Sequence, residues 1–419
     1  MGTQQYQIDT EENRAFLTAG RDNLLAFGRR FPSPEGGAYW LGDDGEPQKE
    51  RDRETWITAR MAHVYSLGTL LGQEGTKKLA AAAIHGLLTE LHDDENDGWY
   101  AGVHADGTPY GPKQCYAHAF VILAACSGRL AGIPGAEELL EKAEAVYDRY
   151  FWSEEEGLSR DTWNTAFTEL DAYRGLNANM HSVEAFLADA DVTGKEYYRV
   201  RAGRIIDHVL SWARENHWRI PEHYASDWTP DLDCNKDKPD DQFKPYGATP
   251  GHGIEWARLI TQWALSTYPK DKEKAAPYLD AAEQLYQRAV ADGWNADGAR
   301  GIVYTTDWEG NPVVHDRMHW TLAEAINTSA TLFHVTGNAR YAGDYAAFMQ
   351  YLDERVMDHA HGSWYHQLDR NNRVIGTVWP GKSDLYHATQ AMLIPLYRAD
   401  ISIAPAVQRG ELYQPSRGR

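Results

Sequence analysis

The chain has 419 residues and a formal net charge of −20. That acidity excludes nucleic acid and an anionic membrane surface as partners, since both need clustered Lys and Arg, and no stretch of about 18 apolar residues is present to span a bilayer. Its 15 tryptophans and 24 tyrosines beside 10 phenylalanines supply aromatic faces with polar edges, suited to stacking on sugar rings or to an ordinary core.

Met1 to Arg14 is polar and acidic without a basic-then-apolar leader pattern. The three cysteines, Cys115, Cys126 and Cys234, lack metal-site spacing and suit a reducing compartment, so a cytoplasmic setting is expected. A helix start at Asp9-Thr10-Glu11-Glu12-Asn13 leads into Phe16, Leu24, Leu25 and Phe27. A Gly/aromatic hairpin follows, Gly36-Gly37-Ala38-Tyr39-Trp40 with a turn at Asp44-Gly45, and then a helix through Trp56-Ile57-Thr58-Ala59-Arg60.

The pairing of hairpin and helix recurs. Gly98-Trp99-Tyr100 precedes the helix opening at Tyr116, and Glu156-Gly157-Leu158 precedes the one carrying His181. A stretched loop from His217 ends at Thr249-Pro250-Gly251-His252-Gly253-Ile254-Glu255-Trp256, where Pro and Gly punctuate a turn before an apolar-periodic run. Gly301-Ile302-Val303-Tyr304 precedes Trp320, and Gly362-Ser363-Trp364-Tyr365 precedes His387. The positions Arg60, Tyr116, His181, His252, Trp320 and His387 thus recur at intervals of about 65 residues, longer than the repeat of a thin solenoid. Second helical patterns lie between them, as at 136–150, 194–215, 274–291 and 339–358. The pattern predicts an all-α fold: an (α/α)6 barrel with short β-hairpins at the active-site face. It comprises one domain over residues 1–403 and a polar tail over 404–419 that is expected to fray.

If every inner helix starts at one face, those six positions ring one concave, aromatic-lined cup with positive helix ends directed into it. A lone helix-head histidine is more often a cap or packing residue than a catalyst, but three at matching places in a ring point to proton transfer. Glu255 and Glu324 either orient a base or favour the helix dipole, and Trp56, Trp320 and Trp379 are stacking platforms or core. No third ligand beside His252 and Glu255 is evident, so no metal and no cofactor is expected. Glycoside hydrolysis would need a carboxylate pair, for which Asp240, Asp241, Asp316 and Asp384 are the candidates. A glycan-binding module with silent histidines is the non-enzymatic alternative.

Three segments carry a resemblance: Trp56-x-Thr58-Ala59-Arg60, the run from Pro245 to Trp256, and Lys382-x-Asp384-x-Tyr386-His387. Together they resemble the N-acylglucosamine 2-epimerase superfamily, most closely its branch of mannose isomerases and sulfoquinovose isomerases. The resemblance implies an (α/α)6 barrel acting on an unphosphorylated monosaccharide without a metal, with His252 and His387 as the acid/base pair. It also implies that Arg60, Trp56, Tyr116, His181, Glu255, Trp320, Glu324 and Trp379 bind the sugar. The function implied is interconversion of D-mannose and D-fructose through a cis-enediolate. The alternatives are a sulfoquinovose isomerase or a 2-epimerase of N-acylglucosamine or cellobiose. A loop with Lys236, Lys238 and Lys244 but no arginine leans toward a neutral hexose. His387 is expected to move the C1/C2 proton, His252 to open the ring, and His181 and Arg60 to hold the oxyanion; a homodimer stays open as the assembly state.

Overall fold

In a computed structural model, which describes residues 4–414, the chain alternates between an inner and an outer ring of helices. In order they are α1 (Glu11–Phe27), α2 (Thr55–Leu70), α3 (Thr76–Leu88), α4 (Cys115–Leu130), α5 (Ala136–Val146), α6 (Leu176–Thr193) and α7 (Glu196–Glu215). There follow α8 (Pro250–Thr267), α9 (Lys272–Gly293), α10 (His319–Thr336), α11 (Ala339–Tyr351), α12 (Tyr386–Leu393) and α13 (Ile403–Arg409). The even-numbered helices from α2 to α12 each touch the next, and α12 returns to α2, which closes the inner ring. The outer helices α3, α5, α7, α9 and α11 each cover the inner helix before them, while α1 covers α12. The two ends of the chain thereby complete the same repeat, and the architecture is the (α/α)6 barrel that the repeat predicts. Among the described residues no helix is long and apolar enough to cross a membrane.

Sequence decides which ring each helix joins. In α2 every residue from Thr55 to Gly68 is buried, because small and apolar side chains surround the whole helix and leave it no solvent face. Helix α7 is instead amphipathic. It buries Tyr198, Ala202, Ile205, Ile206, Val209 and Leu210 on one side and leaves Asp207 and His208 in solvent. Each such aliphatic side chain contributes roughly 1.5–3 kcal/mol on burial.

The short strands do more than line the rim. Arg53–Glu54, Lys113–Gln114, Arg174–Gly175 and Arg317–Met318, each leading into an inner helix, pair with a strand of the following repeat. The first inner-helix amides then donate across the repeat boundary: Thr55 to the Ala101 carbonyl at 3.0 Å, Cys115 to Asp161 at 2.8 Å, Leu176 to Glu222 at 3.1 Å and His319 to His366 at 3.0 Å. The Lys382 amide closes the circle on the Leu41 carbonyl at 2.9 Å. None of these four helices has a side-chain N-cap, so the neighbour's strand satisfies donors that would otherwise be orphaned and fixes where each helix begins.

The segment expected to fray from residue 404 is ordered through residue 414. Helix α13 buries Ala404, Pro405, Ala406 and Val407 beneath Leu67 and Leu393 at the rear of the barrel, and Tyr397 bridges to Leu412. Apolar side chains spaced along that short helix outweigh the polar composition of the segment as a whole. Residues 415–419 lie outside the described residues.

Candidate active site

Inner-helix side chains converge on a cup of about 420 Å³, open to solvent, at the end of the barrel where those helices begin. Eight of the ten residues that the sequence singles out line it: Arg60, Tyr116, His181, His252, Glu255, Trp320, Trp379 and His387. Glu324 lies behind His387, and Trp56 lies to one side under Phe243, lining the neighbouring cavity. The six repeat positions are not level. Tyr116, His252, Trp320 and His387 sit in first turns, whereas Arg60 and His181 lie in the second turns of α2 and α6 and form the deeper wall.

Each histidine is backed by a carboxylate. His387 Nδ1 lies 3.1 Å from Glu324 Oε1, so the carboxylate accepts the Nδ1–H and leaves Nε2 as the free lone pair of the neutral ring. Burial lowers the His387 pKa below its ordinary 6.5, against the pull of Glu324. His181 Nδ1 lies 3.4 Å from Glu184 Oε2, and burial pushes this imidazole down to about 4. His252 stacks on Trp320, with ring centroids 4.9 Å apart, and its Nδ1 is 3.0 Å from Glu222 Oε1. That last pair is close enough for an ion pair but off the line of a hydrogen bond, for both atoms count as unpartnered. Trp320 also neighbours His387 at 5.9 Å, so both imidazoles of the expected acid/base pair flank one indole.

Beneath them lies a belt of buried charge. Arg258 Nε donates to Glu324 Oε2 at 2.9 Å, and its Nη2 lies 3.7 Å from Glu255 and 3.9 Å from Glu184. Tyr386 donates its hydroxyl to Glu184, and Gln390 adds a second donor at 3.1 Å. Burial would raise the pKa of Glu184 and Glu324, but neighbouring histidines and Arg258 reverse it and hold both carboxyls below the usual range. Glu255 goes the other way. It is completely buried, neither of its oxygens has a hydrogen-bond partner, and burial together with the charge on Glu324 raises its pKa well above normal.

Arg60 forms the opposite wall. Its guanidinium donates to Asp384 at 2.8 Å and to the Tyr116 hydroxyl at 2.7 Å, and it lies over the rings of Phe120 and Trp56 at 4.3 and 4.9 Å. Burial opposes ionisation of Asp384, but Arg60 and His319 hold its carboxyl well below the usual range. Trp379 offers a buried Nε1–H without an acceptor to the same cavity. Phe243, on the loop ahead of α8, roofs the site edge-on to Trp56 and Trp379. That loop is seated by Gly247, at φ +87°, where an added Cβ would stand 2.1 Å from the Thr306 carbonyl oxygen.

The metal and hydrolase readings meet specific obstacles. The sequence shows no third ligand beside His252 and Glu255. The fold groups Glu255 not with His252 but with His181 and Glu184 on one side, and with Glu324 and His387 on the other, the ligand atoms of each group within 4.8 Å of one another. The cation that these carboxylates share is Arg258 itself. Of the four candidate hydrolytic carboxylates only Asp384 lines the cavity, and Arg60 already engages it. Sequence reasoning missed Glu222, Arg258, Asn177, Gln242 and Tyr304. Only Arg258 left a signal, as a charge three residues after Glu255 inside an otherwise apolar run.

The sequence pattern of the family described as N-acylglucosamine 2-epimerase (GlcNAc 2-epimerase) matches residues 36–391. The chain is 42% identical over 400 residues to the D-mannose isomerase of Thermobifida fusca, covering 94% of this chain and 97% of that protein. It is 40% identical over 374 residues to the D-mannose isomerase of Pseudomonas cannabina pv. alisalensis, covering 89% and 90%. A crystal structure of D-mannose isomerase superposes with a TM-score of 0.83 at 27% identity, over 91% of this chain and 97% of that one. A family match over residues 36–391, with relatives at 42% and 40% identity over about nine-tenths of the chain, places the chain in the N-acylglucosamine 2-epimerase family.

Proposed function

We propose that the protein is an aldose–ketose isomerase that interconverts D-mannose and D-fructose. The observation that carries this reading is that His387 and His252, each with a carboxylate beside Nδ1, open on one cavity of monosaccharide scale. The two D-mannose isomerases at 42% and 40% identity supply the choice of sugar. His252 serves ring opening at the O1/O5 side. His387 Nε2 then removes the proton from C2, that electron pair becomes the C1–C2 double bond of a cis-enediolate, and the C1=O π pair moves to O1. A proton passes from O2 to O1, and the imidazolium returns its proton to C1 as the C2=O bond forms. Glu324 stabilises that imidazolium without taking its proton.

The carbon acid is far weaker than imidazolium, so the developing oxyanion needs donors already in place. Arg60 supplies one and a protonated Glu255 a second, as a buried carboxylic acid kept neutral can donate where a carboxylate cannot. The neutral His181, with its Nδ1–H toward Glu184, presents a lone pair at Nε2 and so accepts from a sugar hydroxyl rather than holding the oxyanion. Arg60 is the only Lys or Arg among the residues lining the cavity, and Asp384 largely neutralises it, which favours a neutral hexose over an anionic sulfosugar. Arg60→Ala is expected to lower kcat at least tenfold and up to the roughly 10²–10³ that one oxyanion donor contributes. Steady-state rates beside an Arg60→Lys control check this, and an unchanged kcat in the alanine variant would remove Arg60 from the mechanism.

The proposed reaction runs without a metal, because Arg258 supplies the positive charge among the carboxylates. Exhaustive dialysis against EDTA is therefore expected to leave turnover within twofold of the starting value, and loss of activity restored by a divalent cation would refute this. Three free thiols fit a cytoplasmic setting. The reading as a whole is tested by a proton NMR time course with mannose. Fructose is the expected product; glucose as first product would mean C2 epimerisation, and monosaccharides released from cellobiose would mean hydrolysis.

A further inference from the structure

Arg258 takes part in no proton transfer of the proposed reaction. It is 4% exposed, lies six residues beyond His252 on the inner face of α8, and stands between the cup and a second cavity at the rear of the barrel. We propose that Arg258 is a positioning residue for the isomerisation: one buried guanidinium, shared by Glu184, Glu255 and Glu324, sets the orientation and the protonation of the carboxylates that hold His181 and His387. This rests on the isomerase reading given above.

The geometry supports the assignment in three ways. Arg258 Nε donates to Glu324 Oε2 while His387 Nδ1 faces Oε1 of the same carboxylate, so the arginine fixes the plane in which the imidazole is held. Nη2 reaches toward Glu184 and Glu255 without a hydrogen bond to either, which leaves it shared rather than committed. Three carboxylates against one guanidinium cannot all be ionised at low cost in a buried site. The one with no hydrogen bond, Glu255, is where the proton resides, and Glu184 and Glu324 remain charged for their histidines.

His387 is faced by Glu324 and His319 from α10, His181 from α6, Arg60 from α2, Glu255 from α8, and Asp384 and Tyr386 from its own segment. Arg60 is committed to Asp384. Removing Arg258 therefore leaves this cluster one positive charge short on the Glu324 side, and the His387–Glu324 pair takes up its proton at higher pH.

The test follows the histidine rings by ¹⁵N NMR titration in the sugar-free protein, together with the pH dependence of mannose turnover. In Arg258→Met the apparent pKa of the His387–Glu324 pair is expected to rise by about one unit, the lower end of what a nearby charge does. The acid limb of kcat/KM should move with it, and kcat at neutral pH should fall at least tenfold with KM within threefold. In Arg258→Lys, which keeps the charge but not the planar fork, the titration should stay within half a unit of wild type while kcat still falls at least fivefold. An unmoved titration in the methionine variant, or full kcat in the lysine variant, overturns the proposal. The lysine variant decides alone if the methionine variant does not fold. Because the titration needs no substrate, a shifted titration in a protein inactive on mannose would overturn the isomerase reading and leave the protonation assignment standing.

Discussion

His387→Ala is expected to lower mannose turnover by about 10²–10⁴-fold, the contribution of a positioned general base, while leaving sugar binding detectable. The loss should fall on kcat because the ring meets the C2 hydrogen as a base only in the transition state; its contribution to ground-state contact is one edge of a cup whose other walls remain. Truncation should leave the fold intact, for Glu324 keeps Arg258 as partner through its other oxygen. In D2O the wild type should exchange the C2 hydrogen of mannose and the variant should not. A His387→Ala protein that turns over mannose at near-normal rate would transfer the base role elsewhere, with His252 the first candidate. The pH profile gives a second readout. The base must be neutral to act, and burial lowers the His387 pKa below 6.5. Activity is thus retained through neutral pH and lost only as pH falls through that lowered value, placing the acid limb below pH 6.5.

The ring was legible in the sequence because it rests on periodicity: apolar helices alternating with amphipathic ones at a constant interval, each preceded by a Gly/aromatic turn. The features that were not legible are those with no period. The lead strands are two residues long, too short for a pattern to show that Lys113–Gln114 pairs with Thr162–Trp163 of the next repeat rather than within its own hairpin. Helix α13 was hidden by its brevity and by the polar residues after it. The site divides in the same way. Residues at the helix-head positions were found, whereas Glu222, beside His252, sits just ahead of a two-residue strand, at the place held by Ala101, Asp161 and His366 in other repeats, where no residue type recurs to mark it. Arg60 and His181 were placed on the correct face, but at the height of the others. The start of each helix is set by strand pairing across repeats, and sequence spacing does not record it.

Glu255→Gln is expected to stabilise the protein increasingly as pH rises while lowering kcat at least tenfold. The stability argument is one of linkage. Burial and the charge on Glu324 raise the folded-state pKa of Glu255 well above its ordinary value. Between the unfolded value near 4.5 and that raised value the folded state holds a proton which the unfolded state has lost. Folding is therefore disfavoured as pH rises through this window, at up to about 1.4 kcal/mol per pH unit. Glutamine does not titrate, so the difference in unfolding free energy between variant and wild type should grow in the variant's favour from pH 5 to pH 8. Equilibrium denaturation at both pH values isolates it, because any cost of seating the amide is common to the two. A difference that stays flat with pH would mean that Glu255 is ionised in the fold and satisfied by Arg258, and the neutral donor in the oxyanion site would have to be given up. If the difference grows while kcat falls, the site is locally unstable because its chemistry needs a proton held where bulk water would remove it.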